Sequence, residues 1–352
     1  MCCGPRSSRG ARRRRRDQNV SGAPDEFQVI AELFAPLAAG YPGALGLTDD
    51  AALLPADPDH EVVVTVDAMV AGVHFLPEDP ADLVARKLIR CNLSDLAAKG
   101  ATPFAVLLAA AFPRGTSLDW LRAFAGGLAQ DLSQFGVALI GGDTVSTPGP
   151  LTLSLTAMGK VKPGGAILRS GAKAGDMIWV SGSIGDGALG LKAVLGQLSL
   201  SVEHTDYLAD RYRLPRPRVG LNLSGLASAS MDISDGLVQD LGHLCRASGL
   251  AATIEISMVP LSPAAAAAIA QDQSLLATVL TGGDDYELLF TASPAASHAL
   301  LGVASRTGVN LTAIGVMAEG QGVSVLDQHG QSLSFTVGGW RHFNAEGLGA
   351  DA

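Results

Sequence analysis

The sequence predicts a two-domain α/β protein, and three observations predict it. Hydrophobic runs of strand length alternate with amphipathic helical stretches along most of the chain. The 352 residues are enough for two cores of ordinary size. The composition, 47% hydrophobic with 42 glycines and 5% aromatics, suits a glycine-rich α/β body and neither a coiled coil nor a disordered chain. No stretch reaches the roughly 18 unbroken apolar residues of a spanning helix, so no membrane partner is expected.

Taken in order, residues 1–24 have no apolar periodicity and hold five consecutive arginines that repel one another, which predicts a disordered tail. No apolar segment follows those arginines, so they do not form a secretory leader. Order is expected from Asp25, which can cap a helix whose Phe27, Ile30, Ala31 and Phe34 recur at helical spacing. Glu61 to Val66 reads as a buried strand ending at Asp67. A helix over 82–99 is stopped by Gly100 and Pro103, and Phe104 to Phe112 reads as another buried strand. A helix over 117–135 precedes a strand from Val137 to Ile140. Leu151 to Met158 alternates apolar and hydroxyl residues, as a half-buried strand does.

The composition shifts at Lys160 to Gly165, which places a domain junction there. The second block has a strand at Met177 to Val180, a helix from about 186 and a helix after Asp235. Strands near Thr253 to Ile256, Glu287 to Thr291 and Leu311 to Val316 complete it. The expected organisation is a tail at 1–24, domains at 25–160 and 161–343, and a second tail at 344–352.

The net charge of −9 conceals an asymmetry. Seven arginines lie within residues 1–16; taking them from the 25 Lys and Arg leaves 18 bases against 34 acids. So acidic a body does not attract nucleic acid through its overall field, but it can concentrate divalent cations where acids converge. The four cysteines form neither a disulfide framework nor a zinc pattern, which fits a reducing cytoplasm.

The chemistry is expected at aspartates placed at strand ends and glycine turns. Asp67 ends a strand, at the sheet edge where ligands bind in α/β folds. Asp143 follows a strand through Gly141 and Gly142, Asp49 and Asp50 lie in a turn after Gly46, and Asp232 and Asp235 flank Ile233 and Ser234. Val84, Leu88, Cys91 and Asp95 fall on one helical face at i, i+4, i+7 and i+11. A carboxylate on such a stripe needs a counter-charge, a hydrogen bond or a metal. Lys99 at i+4 can partly serve, whereas Arg90 is off the face.

Each aspartate alone also reads as a cap or an Asx-turn, and only the set argues for magnesium, which takes oxygen ligands together with substrate phosphates. No His or Cys cluster has zinc spacing, no EF-hand loop is present, and the GxxxxGK[ST] and protein-kinase motifs are absent. Gly182-Ser-Ile-Gly185-Asp-Gly187 is either a nucleotide loop or a plain strand-to-helix turn. Arg169, beside a flexible turn, is either a phosphate ligand or a surface residue. His74, seven residues past Asp67, either overhangs the same site or is structural, and no nearby Ser or Cys nucleophile makes a triad with it.

Several segments together resemble the thiamine-monophosphate kinase family over roughly residues 25–343. They include Asp49-Asp-Ala-Ala-Leu53, Ala71-Gly-Val-His-Phe-Leu-Pro77, Asn92-Leu-Ser-Asp-Leu-Ala-Ala98, Gly141-Gly-Asp-Thr144, Met231-Asp-Ile-Ser-Asp-Gly-Leu237, Gly282-Gly-Asp-Asp-Tyr-Glu-Leu288 and Gly339-Trp340. The resemblance implies the two-domain fold of the aminoimidazole-ribonucleotide synthetase-like superfamily, with N-terminal sheets of two subunits joined into a barrel across a homodimer. It implies transfer of the γ-phosphate of ATP to thiamine monophosphate. By matched position it implies magnesium ligands at Asp50, Thr65, Val66 (backbone only), Asp67, Asp95, Asp143, Asp232 and Asp235. ATP would meet Gly142, Asp143, Arg169 and Ser234, and the thiamine phosphate would meet His74, Asp284 and Trp340. Thr48, Val66 and Asp284 depart from the family's usual Gly, hydroxyl residue and Glu. A sibling ATP-dependent enzyme of the superfamily is the alternative.

Overall fold

The computed structural model describes residues 26–333. The two tails, Asp25 and Trp340 therefore lie outside the described residues.

The chain enters through α1 (Glu26–Val29), which runs on into a π-helical turn at Ile30–Phe34. The first sheet then comprises β1 (Glu61–Val70), β2 (Thr102–Pro113), β3 (Ala138–Thr147) and β4 (Thr152–Val161) in the order β1-β4-β2-β3. β4 lies antiparallel to β1 and β2, while β2 and β3 run parallel. Helices α2 (Ala81–Ala98) and α3 (Leu118–Phe135) pack against one another, and α2 also lies on the sheet. Ser117 caps α3 by accepting the Trp120 N–H at 3.2 Å, and Gly136 ends it at φ +67. This is an open sheet with β1 and β3 as edges, so one chain does not itself close a barrel.

Two strands are longer than their hydrophobic runs predict. Asp67 does not end β1 but lies inside it, and Asp143 lies inside β3. Backbone pairing carries each strand on through polar residues because one face of this sheet is open. The β2/β3 register slips between Val106 and Leu107, leaving Ile140 unpaired just before Gly141 and Gly142. At Gly142 a Cβ would run into the Leu108 carbonyl, so only glycine lets the two strands meet there.

The second sheet has seven strands: β5 (Met177–Ser181), β6 (Ala229–Asp232), β7 (Ala251–Glu255), β8 (Leu288–Ala292), β9 (Leu311–Ala318), β10 (Gly322–Leu326) and β11 (Ser332–Leu333). Their order is β11-β10-β7-β9-β5-β8-β6, and β7/β10 is the parallel pair. Alternation of strands and helices in sequence thus did not translate into parallel pairing. The helices are α4 (Asp186–Val194), α5 (Val202–Arg213), α6 (Leu237–Ser248), α7 (Pro263–Gln271), α8 (Leu275–Thr281) and α9 (Ser297–Thr307).

Each domain has its own core. A third apolar cluster joins Ala97 and Ala98 of α2 to Ile167, Trp179, Leu288 and Phe290, so α2 is the element that seats one domain on the other. It is buried almost all round because its far face meets β6 and β8. Its polar residues are correspondingly matched. Arg90, off the Asp95 face as expected, bonds both oxygens of the buried Asp131 on α3 (2.6 and 3.1 Å) and donates to the Pro215 carbonyl at 3.0 Å. Lys99 donates to the Ser230 carbonyl at 2.9 Å across the domain boundary, and no ion pair forms between it and Asp95.

Candidate active site

Between the domains lies a cleft of about 440 Å³ whose lining includes Asp67, His74, Asp95, Asp232, Ser234, Asp235 and Asp284. β1 supplies the first of these. Alternation puts Thr65 and Asp67 on its helix-facing side and Val66 on the other. Thr65 Oγ1 donates to Asp95 Oδ2 at 2.5 Å, and the Asp67 N–H donates to Asn92 Oδ1 at 3.1 Å, so α2 holds both β1 residues in register. Asp232 ends β6. Ser234, Asp235 and Gly236 follow, and all three give their N–H groups to Asp240 Oδ2 at 3.0–3.1 Å. Asp240 is therefore the anchor that shapes the Asp232–Asp235 loop at the start of α6.

Among the described residues, no Lys or Arg forms an ion pair with Asp67, Asp95, Asp232 or Asp235, and Lys99 acts on Asp95 and Asp232 only from a distance. Burial first, then the charges of Asp95 and Asp235, push Asp67 up to about 6. Asp232 is also driven up, by burial and then by Asp95. Asp240 rises to about 7 through burial and the nearby Asp235. Such a cluster of hard oxygen donors, crowded and uncompensated, fits a magnesium ion and its phosphate partners.

The structure divides the expected ligand set. Asp50, Gly142 and Asp143 line a second cavity of about 660 Å³ with Phe34, Leu107 and Met158. Asp143 pairs across with Ala109, Ser154 and Ala68, on the face opposite Asp67. The two cavities adjoin around the β1 edge, for Ala68 lines one and its neighbour Ser154 the other. Val66 points to the open face, so its side chain does not enter the cleft. In the turn before Asp50, Thr48 Oγ1 donates to the Leu45 carbonyl at 2.8 Å, and Leu45 and Leu47 take φ of +52 and +56. Thr48 thus braces a strained turn.

On the second domain, the loop before β8 sorts its carboxylates by role. Asp285 is buried and accepts the N–H groups of Gly185 and Gly187 at 2.7 and 2.9 Å. Those amides are therefore taken by protein, and Gly182 to Gly187 is a strand-to-helix turn, not a phosphate cradle. Glu287 is buried as well, bonded to Ser181 (2.6 Å), Arg211 (3.0 Å) and Arg218. Asp284, at φ +71, faces the cleft instead and meets Lys87 at 3.0 Å. His74 Nδ1 accepts the Val70 N–H at 3.0 Å, which leaves the ring proton on Nε2. Arg169 is exposed and lines neither cavity, although its charge acts on Lys99 and His243, which also feel Asp232 and Asp235.

Sequence reasoning gave no role to Lys87, Asn92, Asp240, Asp285 or Glu287. A signal existed for Lys87, which sits three residues after Val84 and four before Cys91, on the stripe that carries Asp95. The anchors Asp240, Asp285 and Glu287 had none, since their partners are backbone amides and arginines set by tertiary packing.

Family models describing AIR synthase related protein match this chain, the N-terminal domain at residues 48–161 and the C-terminal domain at 173–328. Among curated relatives, the thiamine-monophosphate kinase of Caulobacter vibrioides is 44% identical over 92% of each chain. The crystal structure of the thiamine-monophosphate kinase of Stenotrophomonas maltophilia K279a is similar with a TM-score of 0.74 at 43% identity, covering 79% of this chain and 89% of that one. A structure of AaThiL complexed with AMPPCP and TMP is similar with a TM-score of 0.72 at 29% identity, covering 84% of this chain and 91% of that one.

Proposed function

The chain belongs to the thiamine-monophosphate kinases of the AIR synthase related family, and from that membership we propose that its interdomain cleft transfers the γ-phosphoryl group of ATP to thiamine monophosphate. The products are thiamine diphosphate and ADP. The observation that carries this reading is a cleft in which both domains contribute uncompensated carboxylates beside His74 and Asp284. The complex of the similar AaThiL with AMPPCP and TMP supports a nucleotide and thiamine monophosphate as the two occupants.

Magnesium, as several ions, would be held by Asp50, Thr65, Asp67, Asp95, Asp143, Asp232 and Asp235, with Val66 contributing through its backbone. When bound there it supplies neutralisation of the two polyanions and of the charge on the transferring group. The chain's own part is positioning. The acceptor is a phosphate monoester, already largely ionised near neutral pH, so no residue need act as a strong general base. His74, whose Nδ1 accepts the Val70 N–H, is assigned to that phosphate. Asp284 offers a carboxylate to the cationic heterocycle, and Trp340 an indole face. Arg169, Ser234, Gly142 and Asp143 are assigned to ATP, with the arginine opposing repulsion between the two substrates.

The same proposal makes the enzyme a homodimer with domains at 25–160 and 161–343. Val62, Val64 and Val66 support it, because these three edge-strand valines are 50–59% exposed on the open face of the first sheet. A second sheet laid there would close a barrel and cover Asp50 and Asp143. Among the described residues, no helix is long and apolar enough to cross a membrane. A cytoplasmic location fits the two free, buried cysteines, Cys91 and Cys245.

The test is a coupled assay with ATP, magnesium and thiamine monophosphate. Thiamine diphosphate and ADP should form in equal amounts; nucleotide binding without turnover of thiamine monophosphate would overturn the reading.

A further inference from the structure

We propose that Lys87 is a positioning residue that presents Asp284 and the 71–77 loop to the acceptor substrate. The inference rests on the cleft being the thiamine monophosphate site. Lys87 does not itself line that cleft. It is 2% exposed, and its ammonium group has three neighbours: Asp284 Oδ2 at 3.0 Å, the His74 carbonyl at 3.1 Å and the Tyr212 ring at 3.9 Å from its centroid. The ammonium offers three N–H groups, so this set uses them fully.

The two oxygen partners belong to different domains. His74 sits in the first and Asp284 in the second, 197 residues from Lys87. One buried cation thus ties together two of the residues assigned to hold the acceptor. Asp284 needs such a tie. Its backbone is in the left-handed region that a non-glycine residue avoids, and its side chain is about a third exposed. With Oδ2 fixed on Lys87, Oδ1 has no partner among the described residues and is the oxygen left for a ligand. Asp284 is also one methylene shorter than Glu, so its reach depends more on where its anchor stands. Burial pushes the Lys87 pKa down, but Asp284, Tyr212 and Cys91 together more than offset that, so the lysine stays protonated.

Initial rates in parent, Lys87→Met, Asp284→Asn and the double variant, with each substrate varied in turn, test the idea. Lys87→Met should raise KM for thiamine monophosphate about tenfold, with kcat and KM for ATP within about threefold of the parent. The double variant should be no worse than the poorer single one, because Lys87 works through Asp284. If Lys87→Met fails to fold, Lys87→Gln replaces it. The amide keeps a polar group there but brings no charge, and the same rise in KM is expected. A joint rise in both KM values, or losses that multiply in the double variant, would show a merely structural lysine and overturn the proposal. A parent without turnover sinks the reading of the cleft and this inference together. An active parent with an unchanged lysine variant sinks only the inference.

Discussion

Replacing Asp67 by Asn should stabilise the metal-free protein at neutral pH while removing its activity. Burial, Asp95 and Asp235 together raise this carboxyl from 3.8 to about 6. A shift of this size corresponds to about 3 kcal/mol between the ionised and neutral forms. Asp67 keeps part of its surface in water, and screening reduces the expected gain to about 1–2 kcal/mol. The folded protein holds the Asp67 proton more tightly than the unfolded chain does. Stability is therefore lost as pH rises from about 4 to about 6, and the whole penalty is present above that. Denaturant unfolding without divalent ions should show parent and variant nearly equal at about pH 4 and the variant ahead at about pH 8. Magnesium should then stabilise the parent more than the variant, because it binds only the native cluster. The coupled assay should show kcat/KM down by about a hundredfold or more. A variant no more stable than the parent at the higher pH, and active within a few-fold of it, would refute the assignment of Asp67 to a crowded cation site.

Other consequences follow from the same geometry. Asp95→Asn should abolish turnover while circular dichroism stays that of the parent, since the amide can still accept from Thr65; activity within a few-fold of the parent would remove Asp95 from the ligand set. Val64→Lys on the open face of β1 should abolish the proposed dimer, leaving a monomer in sedimentation, and a sedimentation coefficient equal to the parent's would refute an interface there. Deletion of residues 1–24 should leave kcat and both KM values as they are, and a large loss would assign the segment a part in catalysis.

Much of the site could be read before folding was considered. The helical stripe that carries Asp95 is local, and so is the run of glycines that brings β2 and β3 together. Strand extents were less legible. Hydrophobicity marks where a strand is buried, whereas β1 and β3 continue past that point by backbone pairing on a half-open sheet. Several helices of the second domain also escaped notice. In α7 six of the nine residues of Pro263–Gln271 are alanine, which leaves no apolar–polar period to detect.

The sequence by itself determined the α/β class, the two-domain division, the family and the acids that could bind metal. These depend on residue type and local spacing, which survive without coordinates. Only the tertiary structure decided how those acids divide. The two-residue period of β1 turns Asp67 and Val66 to opposite faces, and β4 and β2 carry that choice across the sheet to Asp143. It also decided which of two adjacent carboxylates faces the cleft, burying Asp285 on amide groups and leaving Asp284 at the cleft on Lys87. Contacts between residues almost two hundred positions apart are set by how the two domains close on α2, and no local pattern encodes that.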